Sequence, residues 1–162
     1  MKALMLAILM AAVASSRGAT AAANDHDAAS AAEATVLANR VVAAENAGDM
    51  ATIQSLWAPG DHAIIDNFPP FNWRGADALT AWLTDYGKEI ATAGETEAMS
   101  RIGPPLYVRS DGHGVYAVFP DTYTYKRGGA AVREDLLWTL VAVRTPQGLK
   151  MESVVITGGP RW

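Results

Sequence analysis

Asp66 is the residue in this sequence whose surroundings best suit a general base. It directly follows two isoleucines, and two prolines come shortly after it. Because apolar neighbours keep water away from a carboxylate, we expect the pKa of Asp66 to be raised, as a general base requires. The other interpretation is an exposed aspartate that makes local hydrogen bonds in the proline-rich turn.

Arg133 and Asp135 form a second candidate pair. They are two residues apart in a segment with strand character, so their side chains point to the same face of that strand. On that face the guanidinium would hold the Asp135 carboxylate ionised and orient it as a base toward water. The alternative is a solvated ion pair near the end of a hairpin, which contributes little.

Other polar residues give weaker indications. Tyr123 and Tyr125 share one face of a predicted strand, and their hydroxyls are potential donors, although tyrosines in strands more often serve packing. His62 with Asp61 and Asp66 would offer mixed nitrogen and oxygen ligands. A metal site needs three or four converging ligands, however, and sequence spacing alone does not indicate convergence. We therefore predict no metal site.

The residue content excludes several reaction types. The sequence contains no cysteine, which removes disulfides, thiolate catalysis and zinc–thiolate sites. It also has no Gly-x-Ser-x-Gly elbow for a nucleophilic serine and no glycine-rich phosphate loop after a strand. We predict no bound cofactor and a fold that is stabilised by packing alone.

Three helices are predicted in the first part of the chain. Residues 27–48 are rich in helix formers, and Gly48 supplies a left-handed end. Asp49 can cap a second helix over residues 50–57. A third helix begins after Gly75 and ends at Gly94. Its apolar stripe consists of Leu79, Trp82, Leu83, Tyr86 and Ile90.

The later part of the chain has strand character. Glycine-containing turn signals separate four long segments, which predicts neighbouring antiparallel strands. The Gly103-Pro104-Pro105 interruption in the first of them predicts a bulge or bend. Helices packed on one face of such a sheet make the fold class α+β. The predicted strands are a short one at residues 62–67 and long ones at 97–109, 115–126, 131–144 and 149–157.

Composition and charge indicate one exported domain. The chain has 162 residues, of which 50% are hydrophobic and 19% charged, as in a folded protein. Residues 1–23 combine Lys2, an apolar run and small residues, the pattern of a signal peptide, which leaves a domain at 24–162 and a periplasmic or secreted location. Its removal takes Lys2 and Arg17 from 13 basic residues and leaves 11 against 17 acidic ones. A net charge of 11 − 17 = −6 disfavours nucleic-acid binding, and no later segment is long enough for a membrane anchor.

The order of elements and several short motifs resemble the nuclear transport factor 2-like (NTF2-like) superfamily. This superfamily includes SnoaL-like proteins, ketosteroid isomerases and limonene-epoxide hydrolases, and the resemblance covers roughly residues 30–158. It implies a cone-shaped, strongly curved antiparallel sheet of the cystatin-like type covered by three N-terminal helices, with a mostly apolar pocket inside. The motifs are Asn46-Ala47-Gly48-Asp49, Leu56-Trp57, Ile64-Ile65-Asp66-Asn67 and Trp73-Arg74-Gly75.

The resemblance also implies roles for individual residues. Asp66 corresponds to the carboxylate that moves a proton in ketosteroid isomerases, and Asp135 lies near the carboxyl of their oxyanion hole. Val41 stands where those enzymes have a tyrosine donor, which is a departure from the isomerase pattern. Arg133 and Asp135 with Asn67 are similar instead to the Arg-x-Asp pair and asparagine of limonene-epoxide hydrolases.

Two functional hypotheses follow. In the first, an exported, homodimeric SnoaL-like domain binds a small hydrophobic molecule in its pocket and acts as an isomerase- or hydrolase-type enzyme with Asp66 as general base. In the second, the same fold is a non-catalytic ligand carrier or protein-interaction domain. Large aromatic side chains are the candidates for the ligand-binding walls. They are Trp57, Phe68, Phe71, Trp73, Trp82, Tyr123 and Trp138.

Overall fold

Three helices and seven strands make up the part of the chain that the structure describes. The computed structural model describes residues 8–158, with side chains from residue 28 onward. The helices are α1 (Ile8–Ala47), α2 (Met50–Leu56) and α3 (Ala78–Ala93). The strands are β1 (His62–Ile65), β2 (Asn72–Gly75), β3 (Glu95–Ile102), β4 (Tyr107–Ser110), β5 (Gly114–Arg127), β6 (Ala130–Thr145) and β7 (Gly148–Gly158).

The first helix is longer than predicted. It begins at Ile8 rather than near residue 27, because the intervening sequence is rich in alanine and contains no proline. The predicted signal peptide, residues 1–23, lies outside the residues whose side chains are described and stays a prediction. No helix in the described part is both long and apolar enough to cross a membrane.

The predicted helix ends are confirmed. Gly48 follows α1 with a φ of 65°, and Gly94 ends α3 with a φ of 66°, both in the left-handed region that glycine adopts readily. Asp49 caps α2 because its Oδ1 accepts a hydrogen bond of 3.0 Å from the Thr52 amide. Gly48 and Asp49 together form the junction between α1 and α2.

The strands form one curved, open sheet in the order β2-β1-β7-β6-β5-β3, with β4 also beside β5. The long strands β5, β6 and β7 are antiparallel neighbours, as predicted. The sheet is nevertheless mixed, because β1 runs parallel to β7. Nearly the whole domain separates these two strands in sequence, which leaves room for the crossover that a parallel pair requires.

The predicted strand at residues 97–109 is two strands. Both β3 and β4 pair with β5, and the Gly103-Pro104-Pro105 segment separates them. Gly103 donates its amide to the Pro120 carbonyl at 2.8 Å. A Cβ at this position would lie 2.9 Å from Cγ of Pro120, so the close approach requires glycine.

The core lies between the helices and the inner face of the sheet. Val115, Ala117 and Phe119 of β5 alternate inward and are almost fully buried. Beyond Phe119 the inward positions become polar, beginning with Asp121 and Tyr123. The apolar half of the sheet therefore packs against α1, and the polar half borders a cavity.

Candidate active site

A cavity of about 350 Å³ lies between the polar half of the sheet and the helices α1 and α3. This volume is at the small end of the range for small-molecule sites. Of the 19 described residues that line the cavity, six are acidic, namely Glu45, Asp66, Glu89, Glu95, Asp121 and Glu134. Five are aromatic, namely Phe68, Trp82, Tyr86, Tyr123 and Trp138.

Asp66 is buried in the cavity wall directly after β1. Its Oδ2 accepts a hydrogen bond of 2.9 Å from Nε1 of Trp82, and its Oδ1 accepts one of 2.7 Å from the Asn67 amide. Burial raises the pKa of Asp66, and the two hydrogen bonds partly oppose that rise because they stabilise the ionised form. The result is an oriented carboxyl group with a raised proton affinity.

Glu45 projects from the last turns of α1 into the same cavity. Its carboxyl group has no hydrogen-bond partner within the described residues. Burial, followed by the charges of Asp121 and Asp66, raises the pKa of Glu45 to about 8. Glu45 is therefore mostly protonated at neutral pH.

Asp121 is held in a polar network that joins three elements. Its oxygens accept hydrogen bonds of 2.9 Å from the Ser100 hydroxyl and from the Arg101 amide. Asn46 of α1 in turn exchanges two hydrogen bonds of 2.9 Å with the backbone of Ser100. Burial raises the pKa of Asp121, while its hydrogen bonds act in the opposite direction. The network fixes the end of α1 against β3 and β5.

A chain of hydrogen bonds borders another side of the cavity. The Tyr86 hydroxyl donates to the Tyr123 hydroxyl at 3.1 Å, and Tyr123 donates to Oε2 of Glu95 at 3.0 Å. Glu95 also pairs with Arg127 at 2.7 Å. Burial raises the pKa of Tyr86 to about 12 and raises that of Tyr123 as well, so both hydroxyls stay protonated and can donate.

Comparison with solved structures identifies the fold. The structure is similar to an NTF2-like superfamily protein of Salmonella enterica, with a TM-score of 0.67, 18% identity and coverage of 83% of this chain and 94% of that one. A protein of Novosphingobium aromaticivorans, described as NTF2-like with a cystatin-like fold, gives a TM-score of 0.62 at 16% identity, over 89% of this chain and 86% of that one. The chain has the NTF2-like fold.

A ketosteroid isomerase-like protein of Erwinia carotovora atroseptica has the same fold. Its TM-score is 0.60 at 12% identity, over 81% of this chain and 97% of that chain. No protein-family model matches the sequence, and no curated protein matches it. The similarity to solved structures therefore identifies the fold and not the reaction. The chemistry must be argued from the residues of the cavity.

Six of the residues selected from the sequence come together in the cavity of this NTF2-like fold. Asp66 and Trp82 are joined by a hydrogen bond, and Trp82 stacks on Tyr86 with ring centroids 5.6 Å apart. Phe68 contacts the Tyr86 ring with a centroid distance of 6.0 Å. The six residues are Asp66, Asn67, Phe68, Trp82, Tyr123 and Trp138.

The prediction that Asp135 and Arg133 line the pocket is wrong. They form an ion pair of 2.7 Å, as the spacing predicts, but their side chains are 62% and 64% exposed. The even-numbered residues of β6 point inward, so Glu134 lines the cavity. Arg133 and Asp135, on either side of it, lie on the outer face. Asp135 therefore does not face the cavity together with Asp66.

Three of the expected wall residues do not line the cavity. Trp57 is buried elsewhere in the core, where its ring lies edge-on to His62. Trp73 is buried and donates its Nε1 to Asp85 at 3.1 Å. Phe71 is 55% exposed in the loop between β1 and β2. Aromatic character alone does not separate cavity walls from core or surface positions.

Glu45 and Asp121 were missed by the sequence analysis although the sequence contained a signal for each. Glu45 lies one helical turn after Val41 and therefore shares its face of α1. Asp121 lies two residues after Phe119 and therefore shares its face of β5. Both residues make the cavity more acidic than the mostly apolar pocket that the resemblance implied.

Proposed function

We propose that the cavity binds a small, largely apolar organic molecule and that Asp66 moves a proton from one carbon of this molecule to another. The observation that carries this proposal is the pair of differently placed acids in one cavity. Asp66 is stabilised as a carboxylate by two hydrogen-bond donors, whereas Glu45 has none within the described residues. Burial raises the pKa of both groups, but only Asp66 has donors that oppose the rise, and such a difference between two acids in one cavity is typical of acid–base catalysis.

The two groups suit opposite roles in an isomerase-type reaction. The Asp66 carboxylate would remove a proton from the carbon next to a carbonyl group, and the protonated Glu45 would donate a hydrogen bond to the carbonyl oxygen as negative charge develops there. Returning the Asp66 proton to another carbon of the same ligand completes the isomerisation. The name of the ketosteroid isomerase-like neighbour is consistent with this reaction class.

Epoxide hydrolysis of the limonene-epoxide hydrolase type receives less support. That reaction would need Arg133 and Asp135 beside Asn67, and both residues of the pair lie on the outer face of β6. Water activation by an Arg–Asp pair is therefore not part of the proposal.

Solvent hydrogen exchange tests the proton transfer without knowledge of the natural substrate. A panel of cyclic ketones and unsaturated ketones is incubated in D2O, and loss of the α-proton signals is followed by NMR. We expect the wild-type protein to accelerate exchange of at least one ketone, and Asp66→Asn to slow it on the order of 10²- to 10⁴-fold. Asp135→Asn is the matched control and should exchange at the wild-type rate.

The outcomes of this assay separate the two hypotheses. If wild type and Asp66→Asn exchange the α-protons of a bound ketone at the same rate, Asp66 is not the base. If ketones bind but none is exchanged by the wild-type protein, the ligand-carrier hypothesis replaces the enzyme.

Export is a further part of the proposal. The apolar run after Lys2 and the small residues before Asn24 have the pattern of a cleaved signal peptide. The native protein isolated from its source should begin between residues 22 and 24, as measured by intact mass. A native protein that still contains Met1 would contradict periplasmic or secreted location.

A homodimer is also proposed, formed through the outer face of the sheet. Tyr107 and Tyr116 contact each other edge-on there and are 50% and 42% exposed, and Val118 and Val141 lie beside them in register. Arg109 lies in the same patch and donates to the Tyr107 hydroxyl at 3.2 Å. Exposed aromatic and apolar side chains of this kind can pack against the same face of a second copy. Light scattering should give twice the monomer mass, and Tyr116→Glu should give a monomer; a monomeric wild type would contradict the proposal.

A further inference from the structure

The cavity carries much more negative than positive charge. Six of its described lining residues are acidic, and Arg127 is the one basic residue among them. Arg127 is already paired with Glu95 at 2.7 Å. Of the remaining acids, Asp66 and Asp121 are buried, Glu45 and Glu134 are half-buried and Glu89 is exposed. No cation from the described part of the chain pairs with the buried ones, and buried acids are unfavourable unless a partner stabilises their charge.

Glu45 is the acid of this cavity that gives the clearest indication of the ligand class. Its side chain is half-buried in the cavity wall, and its carboxyl group has no hydrogen-bond donor within the described residues. Asp66 and Asp121 are close enough to repel its charge. A ligand with N–H donors and positive charge would supply a donor to Glu45 and would reduce the repulsion among the three carboxyl groups.

The other walls of the cavity fit a cationic ligand with an apolar body. Trp82 and Tyr86 are stacked, and Trp138 and Phe68 add further aromatic surface. Aromatic faces attract organic cations through their ring quadrupoles. No group of three or more His, Cys, Asp or Glu side chains in the described residues is arranged to hold a metal ion, which favours an organic cation.

We infer that the cavity is specific for a small protonated amine, whose ammonium group lies among Glu45, Asp66 and Asp121 and whose apolar body lies against the aromatic walls. This inference rests on the proposed binding of a small molecule in the cavity and not on the proton transfer, because an ammonium group beside Asp66 and Glu45 would compete with a ketone for the two groups that the reaction uses. It narrows the ligand class from apolar molecules in general to molecules with one positively charged nitrogen.

A matched series of three probes tests the ligand class. The probes are 2-phenylethylamine, 2-phenylethanol and 3-phenylpropanoate, which have similar apolar bodies and are positive, neutral and negative at pH 7. Calorimetric titration of the purified protein should give affinity for the amine about tenfold or more above that for the alcohol, and no binding of the carboxylate. The affinity difference should shrink at high salt.

Proton release identifies the position of the ammonium group. A cation beside Glu45 lowers its pKa, so amine binding at pH 7 should release a fraction of a proton, measured by titration in two buffers with different ionisation enthalpies. Glu45→Gln should abolish this release, and Asp66→Asn should weaken amine binding. Asp135→Asn, a change on the outer face, should leave both unchanged.

Failure of this inference is distinguishable from failure of the proposed function. Equal affinity for alcohol and amine, or no binding of any probe, would overturn the amine as ligand class. Unchanged proton release in Glu45→Gln would overturn the placement of the ammonium group. Neither result affects the exchange of ketone protons, which depends on Asp66 and is measured separately.

Discussion

Glu45→Gln should change the pH dependence of stability more than any other single substitution in the cavity. The pKa of Glu45 rises from an ordinary value of 4.5 to about 8 in the folded protein. Between these values the folded state holds a proton that the unfolded state has lost, so stability decreases as pH rises through this interval and becomes constant above it. The glutamine variant resembles the protonated form at every pH and does not lose this contribution.

The expected magnitude follows from the size of the shift. One pKa unit corresponds to about 1.4 kcal/mol, so the contribution of Glu45 to the free energy of unfolding should fall by about 3 to 4 kcal/mol between pH 5 and pH 8. Wild type should therefore lose that much more stability than Glu45→Gln over this range. The variant should be the more stable protein at pH 8.

Urea unfolding followed by tryptophan fluorescence at pH 5, 6, 7 and 8 provides the measurement. Glu152→Gln is the matched control, since it makes the same chemical change at an exposed position of β7. The control should follow the wild-type curve. If Glu45→Gln also follows that curve, the carboxyl group is ionised and solvated in the folded protein, and its assignment as the protonated acid of the cavity is refuted.

Three further substitutions test the surroundings of the acids. Trp82→Phe removes the side-chain donor to Asp66, so the pKa of Asp66 should rise further in a carboxyl-carbon NMR titration. Asn46→Ala removes the two hydrogen bonds that join α1 to β3 and should lower the free energy of unfolding by about 2 to 3 kcal/mol in urea titrations. Asp121→Asn should lower the pKa of Glu45 more than Asp66→Asn does, because Asp121 makes the larger charge contribution; the opposite order in NMR titrations would contradict the geometry.

The elements of the fold were predictable because their signals are local. Gly48, Asp49 and Gly94 fix helix ends through backbone conformation and a side-chain cap, and neither depends on distant residues. The parallel pairing of β1 with β7 was not predictable in the same way. It depends on which strands meet after the chain has closed, and two isolated segments carry no signal for it.

The site was harder to predict because a change of one residue reverses the face of a strand. Arg133 and Asp135 were correctly paired with each other, but the sequence did not indicate which face of β6 is inward. Leu136 and Trp138 are buried and therefore mark the even-numbered positions of β6 as the inward ones. The same alternation in β5 would have indicated Asp121, two residues beyond the buried Phe119.

The same long strands serve two physical purposes along their length, and this explains how the domain tolerates its acidic cavity. The inward residues from Val115 to Phe119 and from Leu140 to Ala142 are apolar and bury almost completely, which stabilises the sheet against α1. Farther along, Asp121 and Glu134 occupy inward positions that packing alone would fill with apolar residues. Buried acids without a ligand lower stability, and their presence beside an otherwise well-packed core is typical of positions retained for function. Neutralising Glu45, the cavity acid without a hydrogen-bond donor in the described residues, should therefore raise stability at pH 8, whereas large-to-small substitutions in the apolar half should lower stability.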